Sequence, residues 1–329
     1  MQIPAKIVKW GIIGCGDVCE IKSGPAFYKT EGSSLIAVMR RDAAKAEDYA
    51  RRHHVVRWYV DADQLIADPE VDAVYVATPP SSHAEYAISA MRAGKPVYVE
   101  KPMAASYREC EEMNRVSLET GIPLFVAYYR RSLPYFLKIK EILHRGEIGE
   151  IISVNIRFHS PAAPQDSDPR NRPWRVQPEI AGAGYFYDMA CHTLDILDFL
   201  LGEIVDAHGQ KTNRAGLYDA EDTVTASFRF ASRVIGCGEW VYAAPVTTRY
   251  DEVVITGSLG CIRFATFSFA PIVVQTVHSK AEFSFPRPEH IQQQMIESVV
   301  AQLCGRGKSP SDGISAARTN WVMDKILEK

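Results

Sequence analysis

Gly14-Cys-Gly16-Asp-Val-Cys19 follows an apolar run, residues 7–13, and opens a helical pattern. It is a G-x-G-x-x-G sequence with its last glycine replaced by cysteine. Gly14 permits a tight turn, and Gly16 lets a pyrophosphate approach backbone N–H groups at a helix start. Asp17 and Val18 belong to the same loop, and Cys19 is small enough to keep the helix close to the strand. Alone, such a motif is weak. Here it stands at the first strand-to-helix turn of a repeated pattern, the context that dinucleotide binding requires. The competing reading is a structural glycine turn.

The next strand-like run, residues 35–39, ends in Arg40-Arg41-Asp42. An acidic residue at the first position past that strand would hold the ribose 2′-hydroxyl of NAD. Guanidinium groups suit a 2′-phosphate instead. The expected cofactor is therefore NADP(H), with NAD(H) as the alternative. A solvated basic pair at a helix start is the bland reading, and Asp42 fits an N-cap before Ala43.

Lys101 lies just past the carboxyl end of a strand-like run, the edge where parallel sheets bind ligands. An ammonium there polarises a carbonyl oxygen and donates a proton. Glu100 beside it either orients Lys101 or touches the cofactor. Asp188 and His192 are four apart in a helical pattern, so they are expected on one face, with Asp195 seven beyond Asp188 on the same face. That pairing offers a carboxylate and an imidazole to one ligand. The bland reading is a helix-surface pair. A metal site lacks a third His or Cys ligand, so none is expected.

These groups need elements to carry them. Apolar runs at residues 7–13, 35–39, 73–77, 96–99 and 124–127 alternate with helical patterns at 18–29, 43–52, 82–92 and 107–120. Such alternation predicts an α/β domain with a parallel sheet covered on both faces. After residue 150 the pattern changes to period two. Ile152, Val154, Ile156 and Phe158 alternate with polar residues, as do Val224, Ala226, Phe228 and Phe230. Residues 253–256 and 262–267 flank Gly257-Ser-Leu-Gly260 as a hairpin, and 272–278 is a further strand. Helices are expected at 185–201, 290–303 and 316–327. Residues 160–183 are non-periodic and rich in proline, a length of loop that is usually functional or mobile.

The chain has 329 residues, with 37 Lys plus Arg and 40 Asp plus Glu, so its formal net charge is −3. Apolar residues are 47 % and charged residues 23 %, values of an ordinary globular protein. Disorder, a collagen repeat and a strongly basic nucleic-acid binder are excluded. The length suggests two domains. Seven cysteines without a Cys-x-x-Cys pair argue against a disulfide scaffold or structural zinc and for a reducing cytoplasm. The N-terminal residues lack the pattern of a signal peptide, and no apolar run is long enough for a transmembrane helix.

Taken in order, the glycine loop, Ala77-Thr78-Pro79-Pro-Ser-Ser-His83, Glu100-Lys101-Pro102 and Gly182-Ala-Gly184-x-x-x-Asp188-x-x-x-His192 resemble the Gfo/Idh/MocA oxidoreductases. The resemblance covers nearly the whole chain, and the combination is specific where each piece is not. Cys19 and Ala183 depart from the usual Gly or Ala and from the usual triple glycine.

The resemblance implies an N-terminal Rossmann doubly wound parallel sheet and a C-terminal α+β domain with a large, mostly antiparallel open sheet. The domains are expected at 1–128 for dinucleotide binding and 129–329 for substrate binding and oligomerisation. The free sheet face implies a homodimer or homotetramer. The implied reaction is hydride transfer between a nicotinamide and a sugar, cyclitol or anhydro-sugar. Carried over, His192 is a second proton-transfer group and Asp188 binds or orients substrate. Thr78, Pro79, His83, Glu100, Trp174 and Arg175 are expected near the cofactor, and Tyr128, Arg131 and Arg175 near the substrate. Pro102 is expected to be cis. Two other functions fit the resemblance: a redox-type NAD-dependent glycosidase and a non-catalytic NADP(H) sensor. Arg40-Arg41 argues against the first, and intact Lys101, Asp188 and His192 against the second.

Overall fold

Short Val-rich runs form the centre of the first sheet, because a strand covered on both faces needs apolar side chains on both. In the computed structural model, residues 7–168, 170 and 172–329 are described. Pro169, within the proline-rich stretch, and the extreme N-terminus lie outside them. The chain divides into two compact units. One comprises the residues up to Ser132 together with Pro288–Ala317; the other is Leu133–Arg287 with the C-terminal residues from Arg318.

The first unit holds β1 (Val8–Ile13), β2 (Ser33–Met39), β3 (Arg57–Tyr59), β4 (Ala73–Val76), β5 (Val97–Val99) and β6 (Leu124–Val126). The order is β3-β2-β1-β4-β5-β6, and every neighbouring pair is parallel. β4, β5 and β6 are buried throughout. The chain leaves β1 toward β2 on one side and returns as β4 on the other. That reversal opens a crevice at the carboxyl ends of β1 and β4. Phe27 sits in the core against Trp10, Tyr75 and Tyr98.

Three features differ from the sequence reading. The helix expected at 18–29 is two, Asp17–Ile21 and Gly24–Lys29. Pro25 has no N–H to continue the first, and a Cβ at Gly24 would collide with the Cys19 carbonyl. β3 and the helix Ala62–Ala67 are too short to show a period. The domain expected to run unbroken from 129 instead returns residues 288–317 to the first unit. There the Val126 N–H donates to Ser311 O, and Phe125 bridges Asp312.

The second unit holds β7 (Ile151–His159), β8 (Ile204–Thr212), β9 (Thr223–Phe230), β10 (Ile235–Val241), β11 (Tyr250–Gly257), β12 (Gly260–Phe264), β13 (Ile272–Thr276) and β14 (Lys280–Phe283). Among the described residues they form one sheet, β14-β13-β12-β11-β7-β10-β9-β8, antiparallel except for β7 with β10. One face is apolar and buried: Val154, Ile156, Phe228, Trp240, Val253 and Phe264. The helix Pro134–His144 packs there through Phe136 against Phe264. β10 escapes the sequence reading because Gly236 and Gly238 interrupt its pattern. A Cβ at either would strike the rings of Phe228 and Trp240, respectively. The helix expected at 185–201 begins with a π-turn, Phe186–Ala190, before Cys191–Leu201.

Candidate active site

The glycine loop occupies the turn after β1. Gly14 has φ +89°, and a Cβ there would press on Thr78, so no larger residue fits without strain. Gly16 differs. It is extended, it caps the helix Asp17–Ile21, and a Cβ there would meet nothing closer than Gly14 O at 3.9 Å. The space above Gly16 is therefore open, as a pyrophosphate needs. Asp17 is exposed and Val18 half-buried in the first helical turn, while Cys19 is buried in the third-glycine position.

At the end of β2, Arg40 is half-buried, and its Nη1 donates to Cys15 O at 3.1 Å. The guanidinium is thereby tied to the glycine loop. Arg41 is exposed. Asp42 caps the helix Ala43–Arg52 as expected, accepting from the Lys45 N–H at 3.2 Å, and that bond is the main cause of its lowered pKa. Its carboxylate is already committed to a helix start.

After β4, the Thr78 hydroxyl accepts from Ser82 Oγ at 2.8 Å, and Thr78 and Pro79 are half-buried. His83 is fully buried, with Nε2 2.7 Å from Thr78 O and Nδ1 3.0 Å from Pro102 O. Burial is the chief cause of its lowered pKa. It ties the Thr78 turn to the Pro102 turn, and both ring nitrogens face carbonyls. The Lys101–Pro102 bond is cis, as expected. Glu100 is buried, and its carboxylate accepts the Lys101 N–H at 3.2 Å, while Lys101 itself is half-buried.

Tyr128 and Arg131 are both buried within the first unit. Tyr128 is 1 % exposed, with the Arg131 guanidinium 5.7 Å from its ring centroid. Arg131 is 2 % exposed and donates from Nη1 to Pro310 O at 2.9 Å and Ser315 Oγ at 2.8 Å. Arg131 thereby braces the 288–317 segment within the first unit, and the Tyr128 ring lies against its guanidinium.

In the second unit, Asp188 lies in the π-turn and His192 in the first turn of the helix Cys191–Leu201. A π-turn carries more residues per turn than an α-helix, so four-residue spacing across it does not define one α-helical face. Asp188 is 7 % exposed, and its Oδ2 accepts from Arg175 Nε at 3.1 Å. Arg175 stands 4.4 Å over the half-buried Trp174 ring. Trp174, Arg175 and Asp188 thus form one connected group. His192 is 4 % exposed and meets Phe267 edge-on at 5.8 Å. Asp195 is buried and accepts from the Thr319 hydroxyl at 3.3 Å, so it does not face solvent.

The sequence reading missed the residues that set this geometry. The Tyr185 hydroxyl donates to buried Asp166 at 2.7 Å, and Asp166 also accepts the Ala163 N–H at 2.8 Å, which pins the proline-rich stretch. Glu221 accepts the Gly184 N–H at 3.1 Å. No spacing signal marks these pairs. Among the described residues, no cluster of three His, Cys, Asp or Glu could hold a metal, and no helix is long and apolar enough to cross a membrane.

Residues 8–128 match the oxidoreductase family with an NAD-binding Rossmann fold, and residues 136–263 match the GFO/IDH/MocA C-terminal domain. Oxidoreductase P35 of Formosa agariphila is 39 % identical over 319 residues, 96 % of this chain and 97 % of that protein. The 1,5-anhydro-D-fructose reductase of Ensifer adhaerens is 29 % identical over 232 residues, 69 % of this chain and 67 % of that protein. A solved levoglucosan dehydrogenase, in complex with NADH and levoglucosan, matches with a TM-score of 0.85 at 23 % identity, covering 98 % of this chain and 97 % of that one. At that identity the likeness shows a shared fold.

Proposed function

The chain belongs to the Gfo/Idh/MocA oxidoreductase family, and from that premise we propose that it moves a hydride between NADP(H) and a hydroxyl or carbonyl carbon of a sugar, cyclitol or anhydro-sugar. The observation that carries the reading is Arg40, bound to the Cys15 carbonyl of the glycine loop while Asp42 is occupied as an N-cap. A guanidinium at that corner suits a 2′-phosphate, and the ribose is left without a competing carboxylate. The names of the anhydrofructose reductase and the levoglucosan dehydrogenase support the sugar class.

The open space at Gly16 and the turn at Thr78 and Pro79 fit the pyrophosphate and the adjoining ribose. When bound, the nicotinamide supplies or accepts a hydride at its C4. The protein handles the proton. In the reductive direction Lys101, as an ammonium, gives a proton to the carbonyl oxygen; in the oxidative direction the amine takes one from the hydroxyl. His192 is the second group for that proton. Asp188, oriented by Arg175, binds a substrate hydroxyl, and the Trp174 face suits the C–H face of a sugar ring.

The free face of the eight-stranded sheet exposes Ile235 beside Asn155 and Cys237. We read it as the surface for a second copy of the chain, giving a dimer or a dimer of dimers. Seven cysteines without a Cys-x-x-Cys pair suit a reducing cytoplasm. The test of function is a panel of aldoses, ketoses, inositols and anhydro-sugars with each nicotinamide cofactor in both directions. Turnover of a sugar with NADP(H) supports the reading; turnover confined to other carbonyl classes contradicts it. Sedimentation of the protein and of Ile235→Asp tests the interface.

A further inference from the structure

Glu100 closes the turn after β5 and is 6 % exposed. A carboxylate at that depth is costly unless its oxygens are hydrogen-bonded. Oε1 accepts from the Tyr75 hydroxyl at 2.5 Å and from Gln292 Nε2 at 2.5 Å. Oε2 accepts the Lys101 N–H at 3.2 Å. Gln292 is 1 % exposed and is itself oriented, because its Oε1 accepts from the Tyr98 hydroxyl at 3.0 Å. With the amide oxygen held by Tyr98, the amide nitrogen must face Glu100. Tyr75 and Tyr98 are register partners on adjacent parallel strands, and their rings stack at 5.2 Å. The two phenols therefore enter the network from one face of the sheet.

We propose that Gln292 and Tyr75 are positioning residues for Lys101, acting through Glu100. This rests on the reading of Lys101 as the proton-transfer group. Two donors lock the buried carboxylate, and the locked carboxylate holds the backbone N–H of the lysine. His83 steadies the same turn from its other end through Pro102 O. Removing a donor leaves a buried carboxylate under-satisfied. The side chain then rotates toward water or takes up a proton, and its hold on the Lys101 N–H weakens. Gln292 comes 192 residues after Glu100, which gives the returned 288–317 segment a task at the turn as well as in packing.

The variants are Tyr75→Phe, which keeps the aromatic stack, and Gln292→Leu, with Lys101→Met as the reference. Melting temperature, NADPH affinity, kcat, KM and the pH profile of kcat are measured. Both network variants should bind NADPH nearly as tightly as wild type, keep KM, lose about ten- to a hundredfold in kcat, and displace the pH limb that Lys101→Met abolishes. A lower melting temperature with unchanged kcat and pH limb in Tyr75→Phe would overturn the proposal. A parallel reading needs no substrate: lysines are reductively methylated with carbon-13, and the Lys101 signal is assigned by its loss in Lys101→Arg. Its titration should move in both variants, and an unmoved titration would overturn the proposal. If Lys101→Met turns over normally, the catalytic reading of Lys101 fails by itself, and the titration still decides whether the network controls the lysine.

Discussion

Replacing Arg40 with alanine should weaken NADPH binding far more than NADH binding. The size follows from the geometry. One guanidinium nitrogen is engaged with Cys15 O at 3.1 Å, which aims the rest of the planar fork beside the glycine loop. A hydrogen bond to a charged partner contributes about 1.5–3 kcal/mol. At 1.4 kcal/mol per factor of ten, the NADPH dissociation constant should rise roughly 10- to 150-fold. The Cys15 bond is lost for both cofactors and costs each about 1 kcal/mol or less, so the ratio of the two affinities isolates the phosphate. Arg41 is exposed, and Arg41→Ala should change NADPH affinity by less than about fivefold. The assay is fluorescence titration of both cofactors with wild type, each variant and the double variant, at low and high salt. Salt should erode the NADPH advantage of the wild type. Equal losses for NADPH and NADH in Arg40→Ala would refute the reasoning.

Lys101→Met should lower kcat by about 10²- to 10⁴-fold while NADPH affinity stays near wild type; near-normal turnover would remove the lysine from the chemistry. The two loop glycines should fail differently. Gly14→Ala forces a side chain into a left-handed backbone against Thr78, so the protein should lose about 1–3 kcal/mol of stability. Gly16→Ala should melt like wild type yet bind dinucleotide poorly, because its Cβ occupies the open space; intact binding would relocate the pyrophosphate. Glu20 is held at a pKa of about 2, chiefly by its bond to Arg52, with His53 adding to it. Its folded-state pKa is depressed, so its stabilisation is present above the unfolded carboxylate range and is lost as pH falls toward 2. Glu20→Gln should therefore melt below wild type near neutrality and converge with it on acidification, and a gap that widens in acid would contradict that sign.

Much of the first sheet was legible because its central strands are buried on both faces and read as continuous Val-rich runs. β3 was not, since three residues carry no period. β10 was hidden by Gly236 and Gly238, which are there to admit the rings of Phe228 and Trp240. The glycine loop, the Asp42 cap and the cis Pro102 were readable because each depends on residues adjacent in sequence. Partnerships across long separations were not. His83, Tyr128 and Arg131 have residue types that suggest ligand contact, yet each is buried, His83 and Arg131 being bonded to backbone carbonyls of segments the sequence does not place beside them. Gln292 is an ordinary helix-leading glutamine until Tyr98 and Glu100 are seen on either side of its amide. The π-turn at Asp188 also has no periodic signature, and it changes which residues share a face with His192.

Direct hydride transfer is the central claim, and isotope transfer tests it most directly. A sugar that turns over in the panel is prepared with deuterium on the reacting carbon and incubated with NADP⁺, and the reduced cofactor is analysed by mass spectrometry and NMR. The account predicts one deuterium at C4 of the nicotinamide and one equivalent of oxidised sugar per reduced cofactor. Reduced cofactor without deuterium, or sugar consumed with no accumulation of reduced cofactor, would contradict it.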